Sequence, residues 1–591
     1  MCGLCGEVRL DGRPADVAAV GRMTDAMHRR GPDGGGVLAR GPVALGHRRL
    51  SIIDLSCRGA QPMVDSELGL ALVFNGCIYN YKELRAELEG AGYRFFSTAD
   101  SEVILKAFHH WGEDAVHRLL GMFAFALLDT DSGRLTLVRD RLGIKPLYLA
   151  QTPGRLRFAS SVRALLDAGD VDTDVDPVAL HHYLTFHSVV PAPRTILAGV
   201  RKLPPATIRV VEPDGSSSER VYWRADFRRD PDRAAWGAGE WGEALLSSLR
   251  TAVSRRMVAD VPVGVLLSGG FDSSLVVALL AEEGQRDLTT FSIGFDSAGG
   301  ESGDEYEYSD LVAKEFGTDH HRIHVDSGRL LPALDAAVAA MSEPMVSHDC
   351  VAFYLLSQEV SRHVKVVQSG QGADEVLAGY SWYPPLAGVA RDAVTPAYAE
   401  VFFDRGHDAV RALLNPRYAL PHDHSRAFVA AHQAGPGADT ALDAGLRLDT
   451  EVMLVDDPVK RVDTMTMAWG LEARVPFLDH EFVELAAACP PALKLAGGGK
   501  GVLKEAGRPL LPDAVIDRTK GYFPVPGIRH LEGPVLDLVH DALGSRAAKE
   551  RGLYRPEALA RLFADPNGIR TTLDSNALWQ VALLELWLQS L

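Results

Sequence analysis

Apolar and polar positions alternate over short distances in the first third of the chain, which predicts a domain rich in β-strands. Residues 122–128 and 135–138 have the pattern of a hairpin, and residues 46–52 and 73–80 contain further strand segments. An amphipathic helix is predicted to begin near Thr98. Many short strands with few helices favour a sandwich of sheets over a doubly wound fold.

The pattern changes beyond residue 237, where helical and apolar strand segments take turns. Residues 238–259 and 275–283 predict helices, and residues 261–267, 289–295 and 365–369 predict buried strands. Strands separated by helices are typical of an α/β domain with a parallel sheet. The residues after this sheet are predicted to end in a helical tail that tolerates substitution.

A polar, turn-rich stretch at residues 213–219 separates the two patterns. The length of 591 residues also suits more than one domain. We therefore predict a first domain at 1–212, a linker at 213–236 and a second domain at 237–591.

Composition excludes several classes of protein. Hydrophobic residues make up 47% and charged residues 24%, which is ordinary for a soluble globular protein. The net charge of −17 argues against a non-specific binder of nucleic acid or membrane surfaces. No apolar run is long enough to span a membrane, and the N-terminus lacks a secretory signal. Six scattered cysteines indicate reduced thiols in a cytoplasmic protein. A homodimer is one of the assemblies that the sequence allows.

The most informative segment is Ser-Gly-Gly-Phe-Asp-Ser-Ser at residues 268–274, between a predicted strand and a predicted helix. Glycines allow close approach of the backbone, and the N–H groups of such a loop form an anion site. The loop is not of the GxxxxGK[ST] type because no lysine follows the glycines. It resembles the pyrophosphate loop of ATP pyrophosphatases, although an ordinary Gly/Ser turn is the alternative. The predicted ATP-binding residues are Leu267, Ser268, Gly269, Gly270, Asp272, Ser273, Ser274, Ile293, Ser369, Gly370 and Lys520.

Cys2 is a candidate nucleophile. After removal of Met1, its α-amino group, with an ordinary pKa near 8, would act as base for its own thiol. Asn75 and the Gly76 N–H are suitable donors for an oxyanion. Arg49 would bind a substrate carboxylate, and Asp100 would pair with an ammonium group. By itself, a cysteine at position 2 is better explained as a small buried thiol.

Five motifs occur in order in the first domain: Cys-Gly at the N-terminus, Arg-Gly-Pro-Asp at 30–33, Arg-Leu-Ser-Ile at 49–52, Asn-Gly-x-Ile-Tyr-Asn at 75–80 and Arg-Asp-x-x-Gly-x-x-Pro-Leu-Tyr at 139–148. They resemble the glutaminase domain of glutamine-hydrolysing asparagine synthetase, and the loop at 268–274 resembles its synthetase domain. The resemblance implies an N-terminal-nucleophile αββα sandwich joined to an α/β ATP-pyrophosphatase domain. It also implies that glutamine is hydrolysed at Cys2 and that ammonia passes through an internal channel to attack an acyl-adenylate.

The resemblance also implies further roles in the second domain. Asp272 and Asp374 would hold Mg²⁺, which suits a site of one or two carboxylates plus phosphate oxygens. Helix capping is the alternative for Asp374. Lys500 would stabilise charge at the adenylate, with Arg518 and Lys520 as additional cations. Residues 462–467 and 472–479 resemble helices that line the synthetase core.

Departures from the family pattern lie near the acceptor and the glutamine site. Cys77 stands where the family usually has Glu, so Asp100 would bear more of the contact with the glutamine amino group. Gln371 replaces a Glu and cannot act as a general base at neutral pH. Ser347, His348 and Gln371 are the predicted acceptor-binding residues, and Asp349 offers a further polar contact. His348 is the candidate proton acceptor. These changes resemble the N-acetylglutaminylglutamine amidotransferase branch.

Two alternatives to that branch remain. The first is an ordinary asparagine synthetase that amidates aspartate. The second is a non-catalytic, nitrogen-sensing binding protein on the same fold. The presence of Cys2, Asn75 and the whole loop at 268–274 argues against the second alternative.

Overall fold

The computed structural model describes residues 2–285, 287–296, 303–347, 349–518 and 530–591. Two predicted site residues, His348 and Lys520, lie outside these ranges. Within them, no helix is both long and apolar enough to cross a membrane.

The first domain contains two six-stranded antiparallel sheets. Its strands are β1 (Gly3–Arg9), β2 (Gly34–Arg40), β3 (Val43–Arg49), β4 (Met63–Asp65), β5 (Leu70–Ile78), β6 (Gly121–Asp129), β7 (Leu135–Arg139), β8 (Tyr148–Thr152), β9 (Arg155–Ala159), β10 (Arg201–Lys202), β11 (Thr207–Val211) and β12 (Ser217–Val221). One sheet has the order β10-β8-β9-β1-β3-β2 and the other β12-β11-β7-β6-β5-β4. The register pairs Gly3 with Arg48 and Asn75 with Ala124.

The two sheets bury a shared apolar layer. Leu4 and Leu45 of the first sheet belong to one buried cluster with Val73 and Ala126 of the second. Helices cover the outer faces of both sheets, because central strands such as β1 and β5 also place apolar residues on their outer sides. The helices of this domain are Val17–Ala26, Tyr81–Gly90, Asp100–Trp111, Ala115–Arg118, Val162–Asp167 and Pro177–Thr185. The four layers agree with the expected sandwich.

The second domain is built on a five-stranded parallel sheet. Its strands are β13 (Val263–Leu266), β14 (Thr289–Phe295), β15 (Asp319–Val325), β16 (Val366–Gln368) and β17 (Glu472–Arg474), in the order β15-β14-β13-β16-β17. All neighbouring strands are parallel. The α-helices described here are Ala238–Arg255, Phe271–Glu282, Tyr306–Phe316, Leu330–Ala340, Asp349–Val360, Ala373–Val376, Val394–Phe402, His407–Leu413, His424–Ala434, Ala441–Leu448, Lys460–Met467, His480–Ala488, Pro491–Leu495, Gly501–Gly507, Asp513–Ile516, Gly533–Gly544, Arg546–Arg551, Pro556–Ala564 and Ala577–Gln589.

Several local predictions need correction. Residues 472–474 form strand β17 rather than part of a helix, because they pair with β16 at the edge of the parallel sheet. The strand predicted within residues 73–80 is β5, which begins earlier, at Leu70, and ends at Ile78, paired with β6. The helix after the glycine loop begins at Phe271, so Asp272 lies in its first turn. Strand β12 lies within the stretch predicted as linker and pairs with β11.

The C-terminal helix is not a tolerant tail. Nearly every residue of Ala577–Gln589 is buried, in the same apolar cluster as the helices that cover the parallel sheet. The Trp579 indole donates a hydrogen bond to the Val346 carbonyl at 3.0 Å, and the Trp587 indole donates one to Met341 at 2.9 Å. The sequence itself carries the signal for this burial, because a helix that is apolar around most of its circumference belongs in a core.

Candidate active sites

The structure brings the candidate nucleophile and its predicted partners together in one small cavity between the domains. The residues that line it include Cys2, Arg49, Gly76, Cys77, Asp100, Glu472 and Arg474. Cys2 precedes β1, Arg49 ends β3, and Gly76 lies on β5, so both sheets of the sandwich contribute to the cavity. The antiparallel pairing of β1 with β3 places Cys2 beside Arg49.

Asn75 is directly bonded to the nucleophilic residue. The backbone N–H of Cys2 donates a hydrogen bond to Asn75 Oδ1 at 3.0 Å. Asn75 Nδ2 is buried and has no hydrogen-bond partner in the described part of the chain. A buried amide donor without a partner is unusual and leaves Nδ2 available to an oxyanion. Burial raises the pKa of the Cys2 thiol.

Arg49 and Asp100 flank the same cavity. The Arg49 guanidinium donates hydrogen bonds to the carbonyls of Ser56, at 2.7 Å, and of Asp54, so it also holds the loop that follows β3. Asp100 Oδ2 accepts a hydrogen bond from the Ile78 N–H at 3.0 Å. Burial raises the pKa of Asp100 to about 6.

Sequence reasoning missed two residues of this cavity, Glu472 and Arg474. They are two positions apart on β17 and therefore project to the same side of the strand, with Ala473 on the other. Arg474 Nε donates to Glu472 Oε1 at 2.6 Å, and Arg474 Nη2 lies 3.6 Å from Cys77 Sγ. Burial alone would raise the pKa of Glu472, but nearby positive charges, Arg474 among them, lower it to about 2. In the sequence, the alternation of charged and apolar residues in Glu-Ala-Arg was the signal that could have predicted this strand.

A second cavity, of about 470 Å³, opens at the carboxyl ends of β13, β14 and β16. Open parallel sheets bind their ligands at this edge. The predicted residues that line it are Leu267, Ser268, Gly270, Asp272, Ser273, Ile293, Ser369, Gly370, Gln371, Asp374 and Lys500. Gly269 and Ser274 do not line it, and the Ser274 side chain is fully buried in the helix.

The loop at this edge is held by its own hydroxyl groups. The Ser268 N–H donates to Ser273 Oγ at 3.2 Å, and the Gly270 N–H donates to Ser268 Oγ at 3.3 Å. Gly269 has a φ of +74°, and a Cβ there would lie 2.6 Å from the backbone nitrogen of Ser309. The turn therefore requires glycine at this position. Arg518 Nη1 donates to the Gly269 carbonyl at 3.1 Å.

Two carboxylates converge on Lys500 beside the loop. Lys500 Nζ lies 2.5 Å from Asp272 Oδ2 and 2.8 Å from Asp374 Oδ1. Lys500 has a φ of +60° and directly precedes the helix Gly501–Gly507. Burial would lower the pKa of Lys500, but the two carboxylates raise it. Two carboxylates facing one point at the edge of a phosphate-binding loop form a donor set that fits Mg²⁺.

The predicted acceptor residues are only partly brought together. Gln371 lines the second cavity, whereas Ser347 does not and instead accepts a hydrogen bond from the Cys350 N–H through its carbonyl. Asp349, which the sequence offers as a polar contact for the acceptor, does line the cavity, and its side chain lies 4.0 Å from that of Arg461, which was not predicted. Arg461 was missed because it lies 112 residues further along the chain and is not part of a recognisable motif.

Comparisons with known proteins match both halves of the chain. Residues 244–589 match the family described as Asparagine synthase, and residues 1–223 match the Glutamine amidotransferase domain. Glutamine-hydrolyzing asparagine synthetase 1 of Bacillus subtilis is 30% identical, over 96% of this chain and 92% of its own. A putative asparagine synthetase of Mycobacterium tuberculosis is 33% identical, over 99% and 97%. Asparagine synthetase B of Escherichia coli is 30% identical, over 88% and 82%.

Proposed function

This chain belongs to the family of glutamine-hydrolysing asparagine synthetases, and from that membership we propose that its two cavities carry the two half-reactions of one ligase. The chain is a glutamine-dependent amidotransferase of this type, and the family uses ATP. The first cavity hydrolyses glutamine. The second forms an acyl-adenylate, releases pyrophosphate, and releases AMP when ammonia attacks.

Cys2 is the nucleophile of the first half-reaction. Its thiol sulfur attacks the side-chain amide carbon of glutamine, and its own amine, free once Met1 is removed, takes the thiol proton. Asn75 Nδ2 and the Gly76 N–H stabilise the oxyanion. Ammonia leaves as the carbon–nitrogen bond breaks, because the protonated Cys2 amine gives its proton to the departing nitrogen. The hydrogen bond from the Cys2 N–H to Asn75 Oδ1 orients the amide so that Nδ2 remains available. Water then hydrolyses the thioester and releases glutamate.

Glutamine is held by charges of both signs. Arg49 binds its carboxylate, and ionised Asp100 binds its ammonium group. Cys77 supplies no charge at the position where the family usually has Glu. Glu472, on β17 of the second domain, lies in the wall of the same cavity and adds negative charge there. The ammonium contact is therefore shared between Asp100 and Glu472 rather than left to Asp100 alone.

The arrangement of Lys500 between Asp272 and Asp374 carries the proposal for the second half-reaction. The loop at 268–274 binds the pyrophosphate portion of ATP through its backbone N–H groups. Asp272 and Asp374 would hold Mg²⁺, which supplies positive charge against the phosphates when bound. Lys500 neutralises negative charge where the adenylate forms and breaks down.

For the acceptor we propose N-acetylglutaminylglutamine, on the basis of Gln371. This side chain lines the second cavity one residue beyond Gly370. Its amide both donates and accepts hydrogen bonds, which suits an acceptor that bears several amides. Aspartate would leave such groups unpaired, at a cost of roughly 1–3 kcal/mol for each buried group.

Aspartate is the second candidate, and the pair Asp349 and Arg461 favours it. One wall of the cavity thus presents an anion and a cation 4.0 Å apart, which matches the ammonium and carboxylate of a free amino acid. Arg461 is also bonded to Asp457 at 3.2 Å, so this charge pair is held in place without a ligand.

Steady-state kinetics with both acceptors, under saturating glutamine and ATP, distinguish the two. We expect a higher kcat/KM for N-acetylglutaminylglutamine, with AMP and pyrophosphate as products. A higher kcat/KM for aspartate would assign the chain to plain asparagine synthetase. ADP as the stoichiometric product would contradict the proposed second half-reaction, and absence of glutamate release from glutamine would support the non-catalytic alternative.

A further inference from the structure

Three potential metal ligands meet at a place that belongs to neither cavity. His181 lies in the helix Pro177–Thr185, His407 begins the helix His407–Leu413, and Asp423 precedes the helix His424–Ala434. One ligand atom of each lies within 4.8 Å of the others. His181 Nε2 and His407 Nδ1 are 2.9 Å apart. None of the three lines either cavity.

The ring of His181 is fixed in an orientation that suits ligation. His181 is fully buried, and its Nδ1 lies 2.7 Å from Ser425 Oγ. The same hydroxyl lies 3.0 Å from His182 Nδ1. A hydroxyl has one proton, so it accepts from one ring and donates to the other. With the proton on His181 Nδ1, the lone pair of Nε2 points to His407. The second ring N–H of a ligating histidine usually donates to a carboxylate, a backbone carbonyl or water, and here the oxygen of the Ser425 hydroxyl takes that position.

The charge state of the cluster also suits a cation. Asp423 Oδ1 caps the following helix by accepting from the Arg426 N–H at 2.9 Å. The second oxygen, Oδ2, lies 3.7 Å from Arg426 Nε, which is beyond hydrogen-bond distance. A carboxylate oxygen of Asp423 thus lies within 4.8 Å of a ring nitrogen of each histidine, while, among the described residues, Oδ2 is held only in a loose ion pair with Arg426.

We propose that His181, His407 and Asp423 bind one divalent transition-metal ion, for which Zn²⁺ is the best match. Two imidazoles and one carboxylate are common Zn²⁺ ligands, with water in the fourth position. The helix of His181 belongs to the first domain as we divide the chain, whereas the other two ligands belong to the second. The ion would therefore join the two domains, and would stabilise the native state because the unfolded chain lacks the assembled site.

The plainer alternative is a hydrogen-bonded pair of histidines next to a helix cap. It explains the 2.9 Å contact between the rings, the helix cap that Asp423 Oδ1 makes and the ion pair of Oδ2 with Arg426. The two explanations differ in a measurable way, since the pair needs no metal.

The test uses the full chain, stripped with a chelator and titrated with Zn²⁺ by calorimetry, and with Co²⁺ by visible absorption. Asp423→Asn keeps a good helix cap while removing the charged ligand, and His407→Gln changes a half-buried ligand. Ser425→Ala removes only the hydroxyl that orients His181. His422→Gln, an exposed histidine on the same segment, is the matched control.

We expect one Zn²⁺ per chain, a higher unfolding temperature with Zn²⁺, and Co²⁺ absorption typical of nitrogen and oxygen ligands. Ser425→Ala should weaken binding roughly 10–100-fold, the two ligand variants should weaken it more, and the control should bind like the wild type. Absence of Zn²⁺ binding by the wild type would overturn the proposal. Binding that survives in both ligand variants but disappears in Cys2→Ala would also overturn it, because the ion would then sit at the thiol.

Discussion

The guanidinium of Arg474 lies 3.6 Å from the sulfur of Cys77, although 397 residues separate them in the chain. Arg474 is on the edge strand of the parallel sheet, and Cys77 is on a strand of the sandwich. The same guanidinium donates to the carbonyls of Arg256 and Val258 at 2.7 and 2.8 Å. The wall of the first cavity is thus built by both domains.

Arg474→Met should destabilise the protein strongly. Methionine has a similar length but leaves the buried Glu472 without the guanidinium bonded to it at 2.6 Å. Removing one partner of a buried ion pair costs about 3–5 kcal/mol. Thermal unfolding should show a clearly lower midpoint than the wild type, whereas Arg58→Met, at an exposed arginine, should leave the midpoint unchanged. Equal midpoints for both variants would show that the pair contributes little.

Cys2→Ala should abolish synthesis from glutamine but preserve synthesis from added ammonium salts. The two half-reactions use separate cavities, and only the first contains Cys2. Product formation with each nitrogen source is the measurement. Cys57→Ala, at an exposed cysteine, is the control and should retain both activities. Loss of both activities in folded Cys2→Ala would contradict this division.

Mass spectrometry of active protein should also show that Met1 is absent.

Glutamine use should depend on pH through Asp100, whose pKa is about 6 in the folded protein against an ordinary value of 3.8. The ammonium group of glutamine needs the ionised carboxylate, so kcat/KM for glutamine should rise as the pH rises through about 6. Asp100→Asn keeps an acceptor for the Ile78 N–H. The variant should nevertheless lose this rise of kcat/KM with pH, and its kcat/KM at neutral pH should be lower than that of the wild type. An unchanged dependence of kcat/KM on pH in the variant would show that another group causes the rise.

The same raised pKa predicts a dependence of stability on pH. Between pH 3.8 and about 6, the Asp100 carboxyl group is protonated to a greater extent in the folded state than in the unfolded state. The contribution of Asp100 to stability should therefore fall as the pH rises through this window, by about 3 kcal/mol in total. Unfolding of wild type and Asp100→Asn across this range, compared by difference, isolates the contribution. A difference that stays constant with pH would contradict it.

Gly379→Ala should impair the second half-reaction selectively. A Cβ there would lie 2.1 Å from Asp374 Oδ1 and 2.4 Å from Lys500 Cε, so the carboxylate and the ammonium group would have to move apart. ATP-dependent synthesis should drop by about 10²-fold or more, as on loss of a positioned charge, while glutamine hydrolysis persists. Gly239→Ala meets nothing within 4 Å and should leave both activities intact. Equal loss in both variants would contradict the proposed role of the cluster.

The sequence by itself determined those elements whose conformation depends on residues that are close together in the chain. Strand β14 runs over Thr289–Phe295, as predicted, because five of its seven residues are Thr, Phe or Ile, which favour strands. The glycine loop at 268–274 is recognisable because its turn requires glycine at position 269 and its hydroxyls bond within the loop. Cys2, Asn75 and Asp100 were found because each lies in a short motif.

Tertiary structure alone decided which distant residues meet. Glu472 and Arg474 looked like part of a helical core, since nothing in their neighbourhood shows that β17 pairs with β16 and borders the other domain. Ser347 was placed at the acceptor by its position in the chain, yet it lies outside the cavity that Asp349 and Arg461 line. Contacts between residues hundreds of positions apart depend on how sheets and helices pack. Local periodicity and spacing carry no record of that packing, because the same pattern is compatible with many arrangements.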